Sequence, residues 1–333
     1  MAFLLEPLKV RSLHLKNRLV MPPMATAKAE LDGKVSRALL DYYEEKSRGG
    51  FVALIVVEHC YVAAAGKASA NQLSVCADAA VPGLRQLAQV IHRNGSKAAL
   101  QINHAGSAAL KEVAGSTPLA PSAVANPRRG DSPREITPEE IDAAVAAFKE
   151  AGRRAKEAGF DAVEIHSAHG YFLNQFFSPL TNKRTDGYGG GISQRIRLHV
   201  EVTQAVRSAV GPDFPILIRL GASDYVEGGT TVEDAVTAAR TLEAAGVDVI
   251  DVSGGFVGYN PPGAAGQGYF APLSEAVKRA VSIPVILTGG ITDAQSAEAL
   301  LAAQKADLIG VGRAILNDSA WARRAIESLR PRS

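Results

Sequence analysis

Three side chains able to hold or pass a proton, His166, His169 and Tyr171, fall within six positions of this chain. They end a run in which Val163 and Ile165 alternate with Glu164 and His166, the two-residue period of a strand, preceded by a helix-ending Gly159. After them, Phe176 to Gly191 carries Pro179, the Lys183-Arg184 pair and four glycines. A long irregular segment in a compact domain is functional or disordered, and Phe176, Phe177 and Tyr188 argue for order. As metal ligands the two histidines would need a third partner, available only if Glu164 turns inward. As structural histidines they would need burial and partners. As paired donors to an anion or a carbonyl oxygen they fit a strand terminus best. Tyr171 keeps its proton at neutral pH and can donate it; a pocket-wall tyrosine is the plain alternative.

The elements that must position these groups repeat one unit: an amphipathic helix, a turn residue, then a short apolar strand. Helices are expected over 36–48, 81–93, 137–158, 193–210, 231–245, 272–281 and 292–304, with a last one from about 319 to 329. Strands are expected at Arg18–Pro23, Phe51–Val57, Lys97–Ile102, Asp161–His166, Pro215–Leu220, Val247–Ser253, Pro284–Gly290 and Asp307–Arg313. Thr137 with Glu140 and Thr292 with Gln295 match the capping-box spacing. Apolar strands alternating with helices imply a parallel sheet covered on both faces, and eight units imply an α/β fold of the closed (β/α)8 TIM-barrel type over residues 1–333. An open doubly wound sheet is disfavoured, because no Gly-x-Gly-x-x-Gly follows an early strand. Leu4, Leu8, Val10 and Leu13 read as an N-terminal hairpin on the barrel floor, and Ala114–Glu135 as a long loop.

Barrels place chemistry at the carboxyl ends of their strands. Gly289, Gly290 and Gly312 follow the last two strands, where backbone N–H groups can approach a phosphate and Arg313 can add a charged donor. Gln101 and Arg219 end two others; an amide and a guanidinium together can read a ring that carries N–H and C=O groups. These residues point to a phosphorylated, hydrogen-bonding heterocycle. With 36 basic and 34 acidic residues the net charge is +2, so nothing calls for nucleic acid. Cys60 and Cys76 form neither a disulfide framework nor a metal motif and read as two buried thiols in a reducing cytoplasm. The charged N-terminus is unlike a signal peptide, and apolar runs such as Phe51–Val57 are too short to span a membrane.

Over nearly its whole length the chain resembles the old yellow enzyme family of FMN-dependent oxidoreductases. The resemblance rests on KNRLVMPPMAT at 16–26, QINHAG at 101–106, EIHSAHGYFLNQFFSPLTNKRTDGYGG at 164–190, IRLGASDY at 218–225, TGGIT at 288–292 and DLIGVGRAIL at 307–316. The MPPMAT form is most similar to the barrel module of the 2-enoate and dienoyl-CoA reductases. The resemblance implies bound FMN lined by Pro23, Met24 and Ala25, with His59 beside it. It also implies Gln101 and Arg219 at the pyrimidine edge and Gly290, Gly312 and Arg313 at the phosphate. His166 and His169 would hold the carbonyl oxygen of an activated alkene (an enone, enoate or nitro-alkene). Tyr171 would protonate Cα after hydride reaches Cβ. A donor pair aimed at the developing enolate is worth on the order of 3 kcal/mol. Ala25 and Ala27 stand where relatives carry larger or more reactive residues, and His59 where a small one is common. With no cysteine cluster up to Ser333, NADH or NADPH is the expected donor. A flavin-dependent dehydrogenase, demethylase or double-bond isomerase shares these motifs, and a non-redox phosphate-binding barrel shares the glycines. The expected partners are a small-molecule alkene, a nicotinamide donor and, in a homo-oligomer, further copies of this chain.

Overall fold

The computed structural model describes residues 2–126, 132–256 and 258–331. A short hairpin comes first, β1 (Leu8–Val10) and β2 (Leu13–Leu15), turning at Arg11 with φ 48°. The barrel follows with β3 (Leu19–Met21), β4 (Leu54–Tyr61) and β5 (Lys97–Asn103). After an insert containing β6 (Leu119–Ala120) and β7 (Arg134–Glu135), it resumes with β8 (Ala162–Ser167), β9 (Ile216–Gly221) and β10 (Val249–Ser253). The last two strands, β11 (Val285–Leu287) and β12 (Leu308–Gly310), complete a parallel ring in which β12 pairs with β3. The fold is the (β/α)8 barrel expected from the alternation of elements.

Helix boundaries follow local chemistry. Thr137 caps the helix Pro138–Glu157 through the full capping box with Glu140. That helix ends in a Schellman arrangement: Gly159, at φ 87°, donates to Lys156 O (3.0 Å) and Phe160 N donates to Ala155 O (3.2 Å). The cap expected at Thr292 lies one residue later. Thr292 O accepts the Trp321 indole N–H (2.7 Å), and Asp293 Oδ1 instead receives Ser296 N (2.7 Å) to start Ala294–Ala302. The helix expected over 193–210 is two, Ile192–Arg195 and Arg197–Val210, and the one expected over 272–281 is Ala271–Lys278. The insert is not a plain loop, since β6 and β7 pair in parallel; its residues 127–131 lie outside the described ones. Phe176 and Phe177 are not loop residues either. They end a buried helix, Phe172–Phe177. Cys60 is buried as expected, whereas Cys76 is half-exposed, and both are free thiols.

Packing divides the barrel by height. Its lower interior is apolar: Val20, Leu54, Val56, Ala99, Ala162, Leu217, Val249, Ile286 and Leu308 pack onto Val10, Leu13 and Leu15 of the hairpin. The hairpin thus closes the floor, as its leucines suggest. The outward faces of the same strands, with Ile55, Val57, Leu100, Ile165, Ile218 and Val252, join the helices in the main core. No described helix is long and apolar enough to cross a membrane.

Candidate active site at the barrel mouth

Register decides which side chains enter the upper barrel. Gln101 lies opposite Glu164, and Arg219 lies opposite both His166 and Asp251. Laterally paired residues of parallel strands project to one face, so these five share the interior above the apolar layer. All five are nearly or fully buried. Gln101 Nε2 donates to Glu164 Oε2 (2.7 Å). Arg219 Nη1 lies 3.4 Å from Asp251 Oδ2, close enough for ion pairing but misaligned for a hydrogen bond. Glu164 Oε1, Asp251 Oδ1 and Arg219 Nε and Nη1 have no hydrogen-bond partner. Burial pushes the Glu164 carboxyl up, and the charge of Asp251 adds to this, against Arg219 and Gln101. Burial also raises Asp251, opposed by Arg219.

Above this layer stand the proton-bearing rings. The His166 ring centroid is 5.2 Å from that of His169 and 5.1 Å from that of Tyr171, both edge-on. His59 joins them at 5.3 Å from Tyr171. The bend that gathers them is made by His169 and Gly170, with φ 61° and 72°; positive φ is unusual for a residue with a Cβ. The bend is held by side chains of the following helix. Asn174 Oδ1 accepts from Gly170 N (2.7 Å), and Gln175 Nε2 donates to Gly170 O (2.7 Å) and Ala105 O (3.1 Å). His169 Nε2 shares a hydrogen bond with Ser253 Oγ (2.7 Å) at the end of β10. Burial lowers His166 well below the ordinary imidazole range, and His169, His59 and Arg219 push the same way; burial brings His59 to about 4. Both rings are therefore neutral. A neutral imidazole donates an N–H readily and surrenders the proton with difficulty. Of the rim hydroxyls, Tyr188 donates to Glu201 (3.0 Å) and Tyr269 to Tyr259 O (2.7 Å).

The third part is the seam where the ring closes. Met24 Sδ and Pro22 Cγ would lie 3.3 and 3.4 Å from a Cβ placed on Gly312, so the loop after β3 abuts the loop after β12. A Cβ on Gly289 or Gly290 would meet the Tyr269 ring at about 3 Å, and Tyr269 Oη takes a bond from Arg313 Nη2 (3.1 Å). Both glycines have positive φ, 113° and 69°. Pro23 and Met24 are half-buried and Ala25 is exposed beside this corner. Thr26, just past them, donates its N–H (3.2 Å) and hydroxyl (2.5 Å) to Glu58 Oε2; burial raises Glu58 to about 7, against Thr26.

The structure brings His59, His166, His169 and Tyr171 into one ring cluster, with Gln101 and Arg219 below it. It gathers Pro23, Met24, Ala25, Gly289, Gly290, Gly312 and Arg313 around the closing seam. Glu164 does turn inward, but it bonds Gln101, and no group of three or more His, Cys, Asp or Glu among the described residues could hold a metal ion. Glu58 and Ser253 fall at carboxyl ends of strands, where the sequence places chemistry, whereas sequence reading missed Asp251, Asn174 and Gln175. A charge inside an apolar strand, as in Val249–Ser253, was the signal available for Asp251.

The family model for the NADH:flavin oxidoreductase / NADH oxidase family matches residues 3–331. The chain belongs to that family. An NADPH dehydrogenase of Listeria monocytogenes is 39% identical over 331 residues, covering 99% of this chain and 96% of its own length. An NADH oxidase of Thermoanaerobacter brockii is 42% identical over 325 residues, covering 96% of this chain but 50% of that protein. A metal reductase of Desulforamulus reducens, 39% identical over 343 residues, is likewise matched over 50% of its length. The chain thus spans half the length of two of these relatives and nearly all of the third. Among solved structures, a 2-naphthoyl-CoA reductase complex superposes with TM-score 0.93 at 28% identity, over 98% of this chain and 52% of that one. The old yellow enzyme homologue of Zymomonas mobilis gives 0.86 at 26% identity, over 99% and 94%. Morphinone reductase with tetrahydroNAD gives 0.84 at 27%, over 99% and 92%. The chain is thus similar throughout to old-yellow-enzyme-like flavin oxidoreductases, and its family implies FMN as cofactor and NAD(P)H as donor.

Proposed function

We propose that residues 1–333 form a single FMN-binding barrel that uses NADH or NADPH to reduce activated C=C bonds in enones, enoates and nitro-alkenes. The observation that carries this reading is the cluster of His166, His169 and Tyr171, with centroids 5.1–5.2 Å apart around His166, over a layer whose Arg219 N–H groups are buried and unpaired. Unpaired buried donors are costly unless a ligand takes them, and an FMN ring with its carbonyls fits them. The glycine corner with Arg313 fits its phosphate. The chemistry a bound FMN supplies is hydride acceptance from the nicotinamide and hydride delivery to Cβ of the alkene.

This chain's residues then do the rest. Pro23, Met24, Ala25 and His59 line the cofactor. Gln101 and Arg219 hold its pyrimidine edge, and Gly289, Gly290, Gly312 and Arg313 its phosphate. His166 and His169, both able to donate N–H, hold the substrate carbonyl oxygen as negative charge grows there. His166 is neutral, so giving up its proton would leave an anion in a buried site. Proton delivery to Cα therefore falls to Tyr171 Oη. The likeness to a morphinone reductase bound to tetrahydroNAD and to a 2-naphthoyl-CoA reductase supports a reductase reading.

Anaerobic stopped-flow spectroscopy tests the reading. NADPH or NADH should bleach the flavin band of the purified protein, and 2-cyclohexenone should restore it. Protein that takes up no FMN, or reduced protein that no activated alkene reoxidises, overturns the proposal.

A further inference from the structure

Three polar side chains with two carboxyls among them share a dry layer inside the barrel: Glu164, Arg219 and Asp251, each at most 5% exposed. Beneath them lie the aliphatic side chains of Leu217, Val249 and Ala162. Two ionised carboxylates and one guanidinium would leave a net negative charge there. An uncompensated buried charge is among the most costly arrangements a fold can hold. One proton removes it, and geometry decides where that proton sits. Asp251 faces Arg219 at 3.4 Å. Glu164 is hydrogen-bonded to the neutral amide of Gln101 at 2.7 Å, and its other oxygen has no hydrogen-bond partner.

We propose that Glu164 and Asp251 are positioning residues for the cofactor edge. Glu164, protonated on Oε1, turns Oε2 to the Gln101 Nε2 donor and so sets which way the amide faces, and an ionised Asp251 balances Arg219 without consuming its N–H groups. The proposal rests on the FMN reading above and extends it to a layer behind the ligand. Because Glu164 Oε2 accepts from Gln101 Nε2, the amide oxygen of Gln101 is the end left for a ring N–H. Because Asp251 is misaligned with Arg219, the guanidinium Nε and Nη1 stay unbonded and are left for ring acceptors. A ring offering an N–H beside a carbonyl is thus read with one polarity only. The groups around Glu164 are Gln101 on β5, Arg219 on β9, Asp251 on β10 and His166 two residues up its own strand. Burial and Asp251 both favour its neutral form.

Isotope-edited infrared spectroscopy on the unsubstituted protein is the test. At neutral pH a protonated-carboxyl C=O band should shift in protein labelled with 13C-glutamate and not with 13C-aspartate. It should persist in Glu58→Gln, which removes the other raised glutamate, and vanish in Glu164→Gln. Glu164→Leu, which loses the acceptor for Gln101, should bind FMN roughly tenfold more weakly, and the conservative Glu164→Gln should restore the affinity. Asp251→Asn should raise the midpoint potential of bound flavin, since Arg219 then carries an unbalanced charge; Glu164→Gln should not. A band that follows aspartate, no glutamate band at neutral pH, or equal potential shifts in the two variants overturns the proposal. If those results come from protein that binds FMN and turns over alkenes, the functional reading stands without it. If no FMN binds at all, the functional reading falls, while the infrared band still reports the proton on Glu164.

Discussion

Leu217 and Arg219 sit two residues apart on β9 and face the same interior, yet they belong to different regimes. Leu217 is fully buried among aliphatic neighbours that rest on the N-terminal hairpin. Arg219 is almost as buried but has unpaired N–H groups and a misaligned carboxylate. The lower interior of the barrel is a cluster of aliphatic side chains. The upper half leaves Glu164, His166, Asn174, Arg219 and Asp251 each with an unpartnered polar atom. Residues chosen for stability alone would not leave such a layer, because each orphaned group costs about 1–3 kcal/mol. Height along a strand, within a single repeat of the pleat, separates what holds the fold from what serves a ligand.

That division can be attacked from the floor first. Leu217→Ala should cost roughly 2–5 kcal/mol in chemical unfolding, while FMN bound per folded molecule stays normal. A comparable loss of FMN affinity with little loss of stability would erase the distinction. At the mouth the pattern should reverse. Arg313→Ala should weaken FMN binding by about 1.5–3 kcal/mol, read by flavin fluorescence, and leave the unfolding midpoint of the apoprotein unchanged.

Acid sharpens the comparison, because buried imidazoles occur in both the mouth and its surround. Burial lowers His59 and His104 to about 4 and His199 to about 3. Their unfolded value is near ~6.5, so the stability they contribute is present above that pH and is lost as pH falls through the folded values. By pH ~5 the loss should reach roughly 1–2 kcal/mol per ring, and 15N spectra should still show neutral rings in the folded protein. Rings that protonate near ~6.5 while the protein stays folded would contradict their burial. The smallest effect is expected far from both halves. Thr137→Ala removes a capping box on the helix Pro138–Glu157 and should cost about 1 kcal/mol without touching FMN content.

Strand and helix order is legible in the sequence because each apolar run is bounded by glycine, proline or a cap. The seven-residue FVALIVV illustrates the limit. Its apolar residues announce a strand, but β4 runs on through Glu58 and His59 to Tyr61, with a register shift between Val57 and Cys60 that no periodicity reveals. The cap expected at Thr292 falls to its neighbour Asp293, which the spacing alone does not distinguish. In the site, His166, His169 and Tyr171 are legible because they cluster in sequence. Asp251 is not: its partner Arg219 comes from the neighbouring strand β9, and only the β9–β10 register sets the two opposite each other. Gln175 and Asn174 are hidden for a related reason, being helix residues whose task is to hold a bend several positions earlier.

Tyr171→Phe tests most directly the claim that the mouth performs proton-coupled hydride chemistry. The substitution keeps the ring that packs 5.1 Å from His166 and 5.3 Å from His59 and removes only the hydroxyl. Anaerobic stopped-flow traces should show flavin reduction by NADPH at the rate of the unsubstituted protein, since that step takes no proton from Tyr171. Reoxidation by an enone should slow by roughly 10²–10⁴-fold, the usual worth of a positioned general acid. Equal, small losses in both half-reactions would contradict the account and make Tyr171 a wall of the pocket.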